Sequence, residues 1–139
     1  MAEFLSAEWI AALDAAARAS TALTDSAGTE TFVLEQRVVL PAGAESVHHL
    51  LFAPDGVRVL PGAASHPDVV LVTDLPTAVA LARGEVNAQR ALASGRLRVR
   101  GDLDALTSRS DALREVDDVF ASVRTETTFP PDEGTEAPR

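Results

Sequence analysis

The stretch from Gly84 to Asp102 constrains the fold of this chain more than any other. Gly84 and Gly95 bracket a short apolar helix, and Asn87 is placed to cap its start. Beyond Gly95, Leu97 and Val99 alternate with Arg96, Arg98 and Arg100, the period of a half-buried strand. Gly101 closes that strand, and Asp102 stands where an N-cap opens the next helix. Helix, turn, strand, turn and helix start therefore follow one another in a few turns of chain. No residue in the stretch is an obvious catalyst.

The rest of the chain reads around this unit. Ser6 is positioned to cap a helix from Ala7 to Arg18, with Trp9, Leu13 and Ala16 on one face and Trp9 as its core anchor. The segment Thr24 to Thr29 reads as loop. A strand from Thr31 to Leu40 places Phe32, Leu34, Val38 and Leu40 opposite Glu35 and Arg37. Val47 to Ala53 is a second strand, and Val57 to Leu60 returns as a third after a tight turn at Pro54-Asp55-Gly56. Asp68 to Thr73 is apolar on both parities, which predicts a central strand. Asp74 and Pro76 open a helix that Gly84 ends. From Asp102, the positions Leu103, Leu106, Leu113, Val116, Val119, Phe120 and Val123 predict one long amphipathic helix. The predicted fold class is α+β: a five-stranded, mostly antiparallel sheet with helices packed on one face and a more polar opposite face. Residues 1–129 form one domain in this reading, and residues 130–139 a disordered tail.

Composition narrows the function. The chain has no cysteine, so disulfides, zinc-thiolate sites and thiol catalysis are ruled out. Its formal net charge of -9 argues against nucleic acid as a partner and against stable docking on anionic lipid. Neither a secretory signal nor a run of about 20 apolar residues is visible, so a cytoplasmic protein is expected. Hydrophobic residues make up 46% of the chain but aromatics only 4%, an interior of Ala, Val and Leu with few polar handles. Such an interior suits a plain core or an unselective apolar pocket.

Side chains able to do chemistry do not converge. His48 and His49 are neighbours in a strand and point to opposite faces, and His66 lies in a loop. Asp117 and Asp118 diverge by about 100° on a helix. Ser94-Gly95 lacks the frame of a nucleophile elbow, and the glycines form no phosphate loop. No metal-ligand spacing appears, so neither catalytic residues, nor a metal, nor a cofactor is expected. An enzyme, such as a small isomerase, would have to use His48, His49 or Glu35. Arg96, Arg98 and Arg100 form a one-sided basic stripe, read either as an anion site or as a solvated face answering acids such as Glu35.

The pattern Gly84, Asn87-Ala88, Ala91-Leu92, Gly95-Arg96-Leu97-Arg98-Val99 and Gly101-Asp102 resembles the signature of the sterol carrier protein 2 (SCP2) domain family. The strand ending at Asp74 and the helix through Phe120 share the likeness, which spans roughly residues 5 to 129. Ala88 stands where members usually carry Pro, and Leu92 where they carry Phe. The Ala- and Arg-rich acidic composition looks bacterial, actinobacterial in particular. The resemblance implies a sheet with helices on one face, an apolar cavity between them, and binding or transfer of a sterol, fatty acid or acyl chain without catalysis. Parity and periodicity nominate Leu34, Val38, Leu50, Phe52, Leu81, Leu92, Leu113 and Phe120 as lining residues. An empty cavity of about 300 Å³ would cost roughly 7 kcal/mol, so a ligand must fill it or the chain must collapse it. The alternative is an SCP2-like interaction or assembly module, a homodimer or accessory subunit, without a lipid ligand.

Overall fold

The computed structural model describes residues 2–26, 30–125 and 127–129. The predicted tail, residues 130–139, lies outside them. In chain order the elements are β1 (Ala2–Glu3), α1 (Ala7–Ala19), α2 (Thr21–Ser26), β2 (Phe32–Val39), β3 (Glu45–Ala53), β4 (Gly56–Pro61) and β5 (Val69–Asp74). They continue with α3 (Leu75–Ala82), α4 (Ala88–Ala93), β6 (Leu97–Gly101), α5 (Leu103–Ser108), α6 (Ser110–Arg124) and β7 (Thr127–Thr128). Five strands form one sheet in the order β4-β3-β2-β5-β6, and β1 pairs with β7 in a separate two-stranded ladder. The fold is α+β, as the sequence predicts.

Local signals set the helix starts. The side chains of Ser6, Asp74, Asn87 and Asp102 each accept a hydrogen bond from the backbone N–H three residues on, at 2.8 to 3.1 Å. Gly84 and Gly95 have φ of +77° and +81°, the left-handed turn that stops α3 and α4. Trp9 packs edge-on against Phe4 and joins Ile10, Leu13 and Ala17 in the core.

Four expectations need correction. The helix after Asp102 is broken: α5 ends at Ser108, and Arg109 has φ -104° and ψ 20° before α6 begins. Between Leu106 and Leu113 only Ala112, just before Leu113, is apolar, so little holds a continuous helix to the core there. Instead Thr107 and Ser108 hydroxyls bond back to the Leu103 and Ala105 carbonyls. Arg109 donates to the Glu30 carbonyl and lies over the Phe32 ring. Second, Thr24 to Ser26 are helical, in α2; the rest of that predicted loop, up to Thr29, lies outside the described residues. Third, β5 is an interior strand with a partner on each side, but the middle strand is β2, and β5 runs parallel to it because the chain crosses from β4 at one edge to the other side of β2. Fourth, Glu35 does not answer the arginine stripe. Its carboxylate takes Arg37 Nε at 2.6 Å and the Ala64 N–H at 2.9 Å, and it is buried under the loop after β4.

The β4 edge is closed by a helix side chain. Asp14 of α1 accepts the Val59 N–H at 2.8 Å and two hydrogen bonds from the Arg58 guanidinium. A carboxylate thus occupies one outward N–H of an edge strand, which otherwise invites pairing with another chain.

Candidate ligand cleft

The strand registers set out the helix-covered sheet face as rows of neighbouring side chains. The first row is Val57, Phe52 and Phe32; the second is Val59, Leu50, Leu34 and Val69. The third is Pro61, His48, Gln36, Leu71 and Val99, and the fourth is Ser46, Val38, Thr73 and Leu97.

These rows differ in how they are covered. Every residue of the first two is at most 2% exposed, sealed beneath α1, α2 and α6. In the third row Gln36, Leu71 and Val99 are half-buried. Gln36 belongs to the central strand, yet it is not sealed as Leu34, two residues before it on the same face, is. Helix α1 lies along β4 at one edge, and α6 rests on α1, α2 and α3. The floor over β2, β5 and β6 is thereby left less closely covered than that over β4. Leu106 of α5 and Leu113, Val119 and Phe120 of α6 pack half-buried against the core from above.

His48 is the anomaly of this face. It is 1% exposed, its ring meets Trp9 edge-on at 5.6 Å, and neither ring nitrogen has a hydrogen-bond partner among the described residues. Burial, with a smaller contribution from neighbouring His49, pushes its pKa down to about 4, so the ring is neutral at pH 7. His49, on the opposite face, donates from Nδ1 to the Gly62 carbonyl at 2.9 Å.

The nominated lining residues fall into three groups. Leu34, Leu50 and Phe52 are in the sealed rows, and Val38 is buried in the fourth. Leu113 and Phe120 pack on the core from α6, and Leu81 is half-buried in α3. Leu92 is 40% exposed on α4 and stands apart from the rest. Gln36, His48, Leu71 and Val99 are not among the lining residues that the sequence nominates. The available signal was parity: Gln36 shares the inward parity of Leu34 and Val38, and His48 that of Leu50 and Phe52.

A second concavity, of about 490 Å³ and open to solvent, lies beside α4 and is lined by Val86, Arg90, Ala93, Ser94 and Arg96. Arg96 there donates to the Thr77 hydroxyl at 3.2 Å. Among the described residues no three His, Asp or Glu side chains are placed to share a metal ion, and no helix is long and apolar enough to cross a membrane.

An α+β domain with one sheet face roofed by helices, and an apolar floor left partly open, has the form of a small carrier of apolar molecules. The chain belongs to the SCP-2 sterol transfer family, whose sequence model matches residues 11–114. A crystal structure of sterol carrier protein 2 is similar to it at 25% identity and a TM-score of 0.67, covering 86% of this chain and 98% of that one. A solution structure of a conserved protein from Thermus thermophilus is similar at 23% identity and a TM-score of 0.72, covering 95% of each chain. The apo form of sterol carrier protein 2 from Yarrowia lipolytica is similar at 19% identity and a TM-score of 0.62, over 81% of this chain and 88% of that one. Comparison with curated protein sequences gave no match. Family and fold together place the chain among proteins that bind or transfer lipids.

Proposed function

We propose that this protein binds one apolar ligand in the cleft between the sheet and α6 and carries it without chemical change, in the cytoplasm. The observation that supports this reading is the half-buried floor of Gln36, Leu71 and Val99 beside the two sealed rows of the same sheet face. Leu71, Val99 and Val38 form the floor, and Leu113 and Phe120 the roof. Leu34, Leu50 and Phe52 are the packed base that keeps the floor rigid. A fatty acid, an acyl chain or a sterol offers the continuous apolar surface such walls take, at about 25 cal/mol for each Å² removed from water. The reading is non-catalytic because the polar groups near the cleft, His48 and Gln36, have neither an acid nor a nucleophile hydrogen-bonded to them among the described residues.

The test is direct. Protein purified without detergent is denatured gently, and the released molecules are identified by mass spectrometry. The stripped protein is then titrated with a fluorescent fatty-acid probe. Saturable binding of one probe per chain, displaced by unlabelled lipid, supports the proposal. Protein that releases nothing and ignores the probe sinks it.

A further inference from the structure

The His48–Gln36 pair lies at the polar border of the sealed apolar rows. It is flanked by Leu34 and Leu50 on one side, Val38 and Ser46 on the other, and Leu71 along its own row. A neutral imidazole always carries one N–H donor and one acceptor lone pair. Both are unmatched here, and burial without partners makes each unfavourable. Gln36 makes no side-chain hydrogen bond with the described residues and is half-buried. Cross-strand neighbours have Cβ atoms about 5 Å apart, so a small group seated over Gln36 lies one side chain from the His48 ring, whose sealed nitrogens have to turn toward Gln36 to meet it.

We infer that His48 and Gln36 together anchor the polar head of the ligand, and that this head is a single hydroxyl at the end of an otherwise apolar molecule. The inference rests on the cleft reading proposed above. A hydroxyl donates one hydrogen bond and accepts others. It gives its proton to the unprotonated ring nitrogen of His48 and accepts from the Gln36 amide. A carboxylate only accepts, and it carries a full charge onto a face whose four rows hold no Lys or Arg among the described residues. A bare hydrocarbon leaves both side chains unsatisfied. The pair therefore selects by head group, while the walls accept chains or rings by apolar fit alone.

The experiment compares 1-hexadecanol with hexadecyl methyl ether, which keeps the chain and the acceptor oxygen but cannot donate. Both compete with an uncharged fluorescent fatty-alcohol probe on the full-length wild-type protein. The alcohol is expected to bind about tenfold more tightly than the ether, the worth of one buried hydrogen bond. The ratio falls to about one in His48→Phe and shrinks in Gln36→Leu. The His48 side-chain nitrogen NMR signals move when the alcohol is added and stay in place with the ether. Equal affinity of the wild-type protein for alcohol and ether overturns the anchor while leaving the apolar cleft intact. Failure of both compounds and of the probe itself overturns the cleft and the anchor together. If His48→Phe does not fold, the wild-type ratio and Gln36→Leu still decide.

Discussion

Gly101 sits so close to Asp68 that a β-carbon on the glycine would collide with the Asp68 carbonyl oxygen. Its φ of +103° is also a backbone conformation that residues with side chains rarely adopt. The contact is a junction of three strands. Asp102 N–H donates to the same carbonyl at 3.2 Å, Asp68 N–H donates to the Val33 carbonyl at 2.9 Å, and the Asp68 carboxylate accepts the Val33 N–H at 2.8 Å. Closing β6 onto β5 thus depends on one residue having no side chain.

Gly101→Ala is expected to destabilise the protein by about 3 kcal/mol, since backbone strain and a backbone clash act together. Gly95→Ala, at φ +81° with open space around it, is expected to cost about 1 kcal/mol from conformation alone. Urea unfolding of both variants checks the difference. Equal losses would show that the approach to Asp68 is unimportant.

Asp14 governs stability at low pH. Burial by itself raises its pKa, but the Arg58 hydrogen bonds, the Val59 N–H and the charges of Arg58 and Arg18 outweigh burial and hold it below 3.8. Because the folded-state pKa is the lower one, this contribution is complete above the ordinary aspartate value and is lost as pH falls below it. Asp14→Ala leaves the Val59 N–H without its acceptor and should cost about 2 kcal/mol at pH 7. Its acid-unfolding curve should also be flatter than that of the wild-type protein.

His48 adds a pH dependence in a different window. Its pKa is about 4 in the folded protein against 6.5 for an unperturbed histidine, so the unfolded chain binds the extra proton between those values. Stability is therefore complete above pH 6.5 and falls as pH drops toward 4, by roughly 3 kcal/mol in total. His48→Phe should remove this slope and raise stability at pH 5, with the Trp9 contact kept between two rings. A slope that survives the substitution would assign it to other groups.

Val99→Trp tests the cleft by filling it. Val99 is half-buried at the open end of the third row, so a larger ring there should be accommodated with a change in stability of less than about 1 kcal/mol. Binding of the fatty-acid probe should weaken at least about tenfold if the ring takes the ligand's place. Unchanged probe affinity would place the binding surface elsewhere.

The helix starts were legible because a cap is a bond across three residues. Ser6, Asp74, Asn87 and Asp102 each announce a helix in the sequence, and each makes the bond. Strand alternation was legible for the same reason, since successive side chains alternate whatever the strand pairs with. The candidate site was less legible. Helical period places Leu113 and Phe120 against the core, where they pack, but the same rule nominates Leu92, which is exposed, because α4 is too short for its apolar face to be read from period alone.

Sequence alone determined the α+β class, the caps, the inward parity of β2 and β3, and the family signature between Gly84 and Asp102. All of these depend on residues within a few positions of one another. Tertiary structure alone decided that β5 runs parallel to β2, that the last helix breaks at Arg109, and that Glu35 is buried with Arg37 and Ala64. It also decided that His48 is sealed without partners among the described residues, beside a half-open Gln36. Each of these depends on which distant surface arrives to cover a side chain, and burial is a property of that surface as much as of the residue it covers.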